Sequence, residues 1–142
     1  MQLGYSESLL QPMWPLRLSS TAGPYEGIKD TKESIQQNFA FLLQTIPGEW
    51  PMNPDLGIGV AQYLFETFDS QELDKLKVRA QKQLKKYLPA IKLIDAEFVA
   101  TDLDKDMGNV ILKIVYSITG IGLIEQIDFN FDNTTKTFVY AR

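Results

Sequence analysis

The sequence predicts an α+β fold: an N-terminal arm and two to three helices, followed by an antiparallel or mixed C-terminal sheet of about four strands. Apolar residues recur at helical spacing over residues 30–46 and 69–88. From residue 91 onward, short apolar runs separated by turn-forming residues are typical of strands. Because the strands follow one another directly, they are expected to pair with their chain neighbours without helical crossovers.

The first 29 residues are predicted to form an extended arm ahead of a single domain at residues 30–142. Three prolines within residues 12–24 lack an amide hydrogen and restrict the residues before them, which disfavours a helix. Trp14 lies among them. Its aromatic ring either docks on a partner or packs on the domain's own core, since aromatic side chains dominate both environments.

A first helix is predicted from Asp30 to Ile46. Asp30 and Glu33 have the spacing of a capping box, and apolar residues then recur every three to four positions. Pro47 and Gly48 end the helix, because proline cannot continue it and glycine accepts a positive φ. A short second helix is predicted over residues 59–66.

A long third helix begins at the Asp69-Ser70 cap and stops before Pro89. One of its faces is apolar, and the others carry six of the chain's 14 basic residues: Lys75, Lys77, Arg79, Lys82, Lys85 and Lys86. This basic strip is either a solvated helix face or a dock for an acidic partner surface.

The remaining residues are predicted to form strands joined by short turns. The second of these strands, residues 110–118, is apolar on both faces, which predicts a central strand packed on both sides. The third, residues 123–132, alternates apolar and polar residues, so one of its faces is expected to meet solvent.

Composition excludes several classes of function. The chain has neither cysteine nor histidine, so thiolate zinc sites, cysteine nucleophiles and Ser-His-Asp relays are excluded. The net charge of −4 and the absence of a long basic run argue against nucleic-acid binding. No secretory signal and no apolar membrane span are recognisable, so a protein made in the cytosol and without a membrane span is expected.

Glu49 and Asp55 are the only pair of acidic residues that suggests catalysis. A glycosidase needs one carboxylic acid and one carboxylate on either side of the bond that it cuts, and a turn could place this pair suitably. Alternatively, Glu49 accepts backbone amides of the turn and Asp55 caps the short helix that follows. The structural interpretation is preferred, and no catalytic residue is predicted.

No cofactor and no metal site are predicted. The sequence Gly-Ile-Gly occurs at residues 57–59 and 120–122, but neither copy extends to the dinucleotide-binding pattern. Asp102, Asp104 and Asp106 resemble the start of a calcium loop, yet Gly108 does not fall at the sixth position and the last ligand position is lysine. An acidic hairpin turn is the preferred interpretation.

With "SIQQNFAFLLQTIPGE", "NPDLGIG" and "YLFE" in succession, the sequence resembles the baseplate wedge or sheath-initiator proteins of contractile phage tails. Relatives of that family, often labelled lysozyme-like, occur in type VI secretion baseplates. The family's motif corner is matched here by Pro47, Gly48, Glu49, Trp50, Pro54, Asp55, Gly57 and Gly59.

Two departures from the family pattern stand out. Trp50 replaces an arginine, and the family's Glu-Pro-Arg motif at the end of the long helix is Leu88-Pro89-Ala90 here. The resemblance implies that this motif docks into the wedge. We therefore expect a more apolar contact at Trp50 and at residues 88–90, with Trp14, Lys82 and Lys85 as further candidate docking residues.

The resemblance implies a structural role and not an enzymatic one. It implies six copies around the tail tube, binding to other wedge subunits, the sheath and tube or hub proteins, and templating of the first sheath ring by strand addition. The expected location is the virion tail baseplate, assembled in the host cytoplasm. The rival hypothesis is a peptidoglycan glycosidase that uses Glu49 and Asp55.

Overall fold

The computed structural model describes residues 10–19, 24–64, 70–99, 110–132 and 137–141, and within them it has three helices and two antiparallel sheets. The helices are α1 (Thr31–Gln44), α2 (Val60–Leu64) and α3 (Ser70–Tyr87). One sheet pairs β1 (Gln11–Pro12) with β2 (Gly27–Ile28). The other has the strand order β3 (Ile91–Val99), β4 (Val110–Ile118), β5 (Leu123–Asp132) and β6 (Thr137–Ala141). The predicted α+β class is confirmed.

The chain divides into two compact units, Met1–Phe41 and Leu42–Arg142. In the first unit, the described part of the arm folds into the β1–β2 hairpin. Asp30 caps α1, since its carboxylate accepts the amide hydrogen of Lys32 at 3.2 Å. The predicted boundary between an arm at 1–29 and a domain at 30–142 stays a prediction.

The side chain of Gln37 fastens the hairpin to α1 within the first unit. Its oxygen accepts from the Trp14 amide at 2.8 Å, and its nitrogen donates to the Pro12 carbonyl at 2.9 Å. A buried glutamine is stable only when its polar atoms are paired, and these two bonds pair them. The Trp14 ring meets the Phe41 ring edge-on at 5.8 Å, so Trp14 is half-buried and 49% exposed.

In the second unit, α2 packs on α3, and α3 packs on β3. The predicted apolar stripe of α3 is buried at Leu76, Ala80 and Leu84. Residues 65–69 lie outside the described ranges, so the predicted cap at Asp69 stays a prediction. None of the helices in the described ranges is long and apolar enough to span a membrane.

The four-stranded sheet buries one face. Leu112, Ile114, Tyr116 and Ile118 of β4 are fully buried there, with Ile127 and Phe129 of β5. The prediction that β4 is packed on both sides is wrong at Ile111. This residue lies on the other face and is 36% exposed, and its neighbours on that face are only half-buried. The apolar residues on that face of β4 therefore do not show that the face is buried within this chain.

The edges of this sheet differ from one another. Strand β3 is an edge strand with a register shift between Leu93 and Asp95, which leaves Ile94 as an extra, exposed residue. On the opposite side, β6 pairs only with Asp128–Asp132 of β5. Among the described residues, Leu123–Ile127 of β5 therefore pair with β4 alone.

Candidate functional site

The corner between α1 and α2, residues 45–59, holds the residues of the predicted motif. Its path depends on glycines with positive φ, at +96° for Gly48, +112° for Gly57 and +69° for Gly59. A Cβ at Gly57 would overlap the carbonyl oxygen of Thr45, and one at Gly59 would lie 2.9 Å from Cδ of Pro47. Gly57, which faces the Thr45 backbone, and Gly59, which faces the Pro47 ring, therefore have no room for a side chain.

Backbone hydrogen bonds close the corner. The Gly48 amide donates to the Pro54 carbonyl and the Ile58 amide donates to the Leu42 carbonyl, both at 2.9 Å. The Glu49 carboxylate accepts the Ile46 amide hydrogen at 3.0 Å. The prediction that Glu49 satisfies an amide of the turn is confirmed.

Three residues of α3, one helical turn apart, hold the corner from the other side. Gln83 is fully buried; its oxygen accepts from the Gly57 amide at 3.0 Å and its nitrogen donates to the Asp55 carbonyl at 2.8 Å. Arg79 donates to the carbonyls of Gly57 at 3.0 Å and Asp55 at 3.1 Å. Tyr87 is bonded through its hydroxyl to the Asn53 side chain, whose nitrogen donates at 2.8 Å. We call Arg79, Gln83 and Tyr87 the α3 clamp.

The carboxylate of Asp55 faces the basic residues of α3. Its oxygens lie 3.7 Å from Arg79 Nη2, 3.9 Å from Lys86 Nζ and 4.0 Å from Lys82 Nζ. At these lengths and with exposed partners, each ion pair adds little stability. The predicted cap by Asp55 is wrong, because α2 begins only at Val60 and the carboxylate points towards α3.

Hydrogen bonds shift the pKa values of two groups at the end of the clamp. The hydrogen bond with the Asn53 side chain, followed by that with Lys86, lowers the pKa of Tyr87 below its usual value. The Tyr87 hydroxyl in turn raises the pKa of Lys86, whose ammonium lies 5.0 Å from the centre of the tyrosine ring. Lys86 therefore keeps its positive charge beside the corner.

Most of the basic strip on α3 is paired within the chain. Lys75 pairs with Glu72, and Lys77 donates to Asp95 at 2.9 Å. The hydrogen bond from Lys77, followed by that from the Ala96 amide, lowers the pKa of Asp95 below its usual value. With Arg79, Lys82 and Lys86 around Asp55, only Lys85 of the six makes no ion pair with a described residue. Ion pairs within the chain thus involve most of the strip, and the choice between a solvated face and a dock, including the docking roles of Lys82 and Lys85, stays a prediction.

An open apolar groove of about 360 Å³ lies at the end of α3. Its walls come from the last turns of α3 and the start of β3: Gln81, Leu84, Lys85, Pro89, Ile91, Lys92 and Leu93. The turn at Leu88–Ala90 is fixed by a 2.7 Å hydrogen bond from the Thr119 amide to the Ala90 carbonyl. Pro89 and Lys85, two of the predicted docking residues, thus share one concave surface.

A second, shallower groove of about 450 Å³ runs along α3 beside Val78, Arg79 and Lys82. Lysine or arginine residues border both grooves. Neither Glu49 nor Asp55 lines either of them, and Asp102, Asp104 and Asp106 lie outside the described residues.

The family model for the baseplate wedge protein gp25 matches residues 29–121, more than half of the chain. The chain belongs to the baseplate wedge protein gp25 family. The matched segment contains the motif corner, the α3 clamp and the groove at residues 88–90. The resemblance inferred from the sequence is confirmed.

Two solved structures share the fold of this wedge protein. One is a protein from Geobacter sulfurreducens described as a candidate tail lysozyme, with a TM-score of 0.59 and 20% identity over 75% of this chain and 95% of that one. The other is a chain of the anti-feeding prophage baseplate, with a TM-score of 0.59 and 20% identity over 77% of this chain and 84% of that one. No curated protein sequence matches the chain.

As a member of this family, the wedge protein is a structural component of a contractile-tail baseplate, where it contacts other baseplate subunits. Sequence reasoning identified the corner but missed the α3 clamp. The available signal was Gln83, a polar residue placed next to Leu84 on the side of α3 that carries the buried Leu76 and Ala80. A polar residue in an apolar stripe indicates a buried hydrogen-bonding partner.

Proposed function

We propose that this wedge protein joins the wedge subunits around the tail tube, in six copies per baseplate, and templates the first sheath ring by strand addition. Its partners in this role are other wedge subunits, the tail sheath protein and tube or hub proteins, and assembly takes place in the host cytoplasm. The observation that carries the proposal is the start of β5, which extends beyond the described β6 ladder.

Strand addition needs backbone groups that can accept a new neighbour. Leu123–Ile127 pair with β4 on one side, whereas the described β6 ladder reaches only Asp128. Beyond the described ladder, the backbone edge of β5 at Leu123 and Ile124 is the place where an incoming extended segment can bind. Such a segment would continue the line of β6.

The side chains at this edge favour a protein partner. Ile121 and Leu123 are partly exposed, and Ile124 is 69% exposed. An added strand would cover these apolar side chains, which contributes to affinity, while the backbone bonds fix its register. The opposite edge of the sheet is a poorer template, because the bulge at Ile94 interrupts the ladder of β3.

Charge helps to select the partner. After residue 92 the chain has eight acidic and four basic residues. An acidic sheet favours a basic incoming arm, and complementary charge contributes more to partner choice than to affinity.

Two proline variants at adjacent positions test strand addition at β5. Successive residues of a strand direct their amides to opposite neighbours, so one of Leu123→Pro and Ile124→Pro removes an amide bonded to β4 and the other removes an amide at the open edge. The variant that loses the amide bonded to β4 is expected to have a lower melting temperature. The variant that loses the open-edge amide is expected to keep nearly the same melting temperature and to stop purified sheath protein from polymerising on baseplates that carry it.

The result that contradicts the proposal is normal sheath polymerisation on baseplates that contain the well-folded proline variant. Polymerisation of the same extent on baseplates that lack the protein altogether would reject any templating role. Baseplates that form without the protein in place would instead reject the joining of wedge subunits, so the two parts of the proposal are tested separately.

We propose no catalytic role for the wedge protein, and the glycosidase alternative is not favoured. Glu49 is exposed and its carboxylate is bonded to the Ile46 amide, while Asp55 faces three basic side chains. A glycosidase acid needs apolar surroundings and a sugar-binding cleft, and neither carboxylate lines a groove described above. The purified protein is expected to leave the turbidity of a bacterial cell-wall suspension unchanged. If the wild-type protein clears the suspension and the Glu49→Gln variant does not, this expectation is overturned.

A further inference from the structure

The tip of the corner presents two large apolar side chains to solvent. Trp50 is 57% exposed and Met52 is 97% exposed, with Pro51 between them also exposed. Residues 50–53 form a tight turn that is closed by a 3.0 Å hydrogen bond from the Asn53 amide to the Trp50 carbonyl. We call residues 50–53 the Trp50 turn. Burial of apolar surface during folding does not account for a tryptophan and a methionine side chain on an exposed tip.

The Trp50 turn is held rigidly. The Asn53 side chain is bonded to Tyr87 of α3, and the backbone that follows is fixed by Gln83 and Arg79. An apolar group that is held in place before binding loses little conformational entropy when it enters a pocket. Tryptophan is among the residues that most often contribute the main energy of a protein interface, and methionine adapts to irregular pockets.

We infer that the Trp50 turn inserts into an apolar pocket bordered by carboxylates on a different baseplate subunit. This docking site is separate from the open edge of β5, and the inference rests on the proposed joining of wedge subunits. Both exposed side chains enter the partner, and basic residues of α3 meet the acidic border of the pocket.

The charges around the turn determine the chemistry of the partner. Lys82, Lys86 and Arg79 lie within 4.0 Å of the single carboxylate of Asp55, so positive charge is in excess on the α3 side. Glu49 is the nearby acid on the other side of the turn, and its carboxylate is bonded to the Ile46 amide. A carboxylate-bordered pocket complements this balance, whereas a basic border would repel it.

The same charges disfavour a second copy of this chain as the occupant. The charged residues that border the two grooves described above are Lys85 and Lys92 in one case and three bases with one acid, Lys75, Arg79, Lys82 and Asp74, in the other, so both grooves carry an excess of positive charge. Inserting the Trp50 turn of one copy into either groove of another would bring basic side chains together.

A double variant tests the inference in assembled particles. Trp50→Ala combined with Met52→Ser is introduced into cells whose own copy of the gene is deleted, and the protein is quantified in purified contractile particles. Because both side chains are exposed, the melting temperature is expected to stay within a few degrees. Incorporation into particles at limiting protein is expected to fall at least about tenfold, as for loss of a central interface residue.

Val78→Ser is the matched control, since Val78 is an exposed apolar residue of the same unit outside the turn. It is expected to leave incorporation unchanged. Equal incorporation of the Trp50/Met52 variant and the wild type overturns the inference. Absence of the wild-type protein from the particles would instead overturn the proposed function, so the two failures are distinguishable.

A photoreactive benzoylphenylalanine at position 52 identifies the occupant. The expected product is a cross-link in intact particles to a different baseplate subunit, at apolar residues that neighbour aspartate or glutamate. A cross-link only to a second copy of this chain, or none in particles that contain it, contradicts the inference. Binding to phosphatidylserine vesicles that is lost in the double variant would also contradict it, because it would make the turn a lipid-binding tip.

Discussion

Gly57→Ala is expected to lower the free energy of unfolding by about 3 kcal/mol or more, the largest effect of any single methyl group that can be added to the corner. At φ +112° an L-residue is strained, and its Cβ would overlap the Thr45 carbonyl oxygen and lie 2.8 Å from the carbonyl carbon. The neighbouring atoms are backbone, so they cannot move without displacing the end of α1. Urea unfolding followed by circular dichroism measures the loss.

Gly48→Ala is the matched control for this prediction. Its φ of +96° is also positive, but a Cβ there meets no heavy atom within 4 Å. The variant therefore carries the backbone strain without the overlap and is expected to lose about 1–2 kcal/mol. Equal losses in the two variants would show that close packing against Thr45 does not hold the corner.

The features that the sequence predicts correctly are those encoded by neighbouring residues. Helical spacing predicts α1 and α3, and the Pro47-Gly48 pair correctly ends α1 before the corner. Glu49 is correctly assigned to a turn amide, because its partner Ile46 is only three residues away. In each case the physical cause lies within one or two turns of the chain.

The α3 clamp could not be predicted in this way. Gln83 meets Gly57 across 26 residues, and Arg79 meets Asp55 across 24, so both contacts depend on how α3 crosses the corner. The same crossing explains why the predicted helix cap at Asp55 was wrong. A carboxylate after proline has a good local reason to cap a helix, but three bases on α3 lie within 4.0 Å of it.

Gln83→Leu is expected to lower the free energy of unfolding by about 2 kcal/mol, although leucine is similar in size and more apolar. The cost comes from the Gly57 amide, which is buried and loses its hydrogen-bond acceptor. The Asp55 carbonyl contributes less, because Arg79 still donates to it at 3.1 Å. A buried donor left without a partner costs more than the added apolar area returns.

Gln81→Leu on the same helix separates the buried hydrogen bonds from a general effect of exchanging glutamine for leucine. Gln81 is exposed, so this control is expected to change stability by less than about 0.5 kcal/mol. If Gln83→Leu proves equally neutral, the Gly57 amide has another acceptor and the clamp does not fix the corner. If the loss is as expected, the Trp50 turn is anchored through Gln83 as well as Asn53. Replacing Trp14 by phenylalanine then leaves Trp50 as the only source of tryptophan fluorescence. In that background, acrylamide is expected to quench the fluorescence more strongly in Gln83→Leu than in Gln81→Leu.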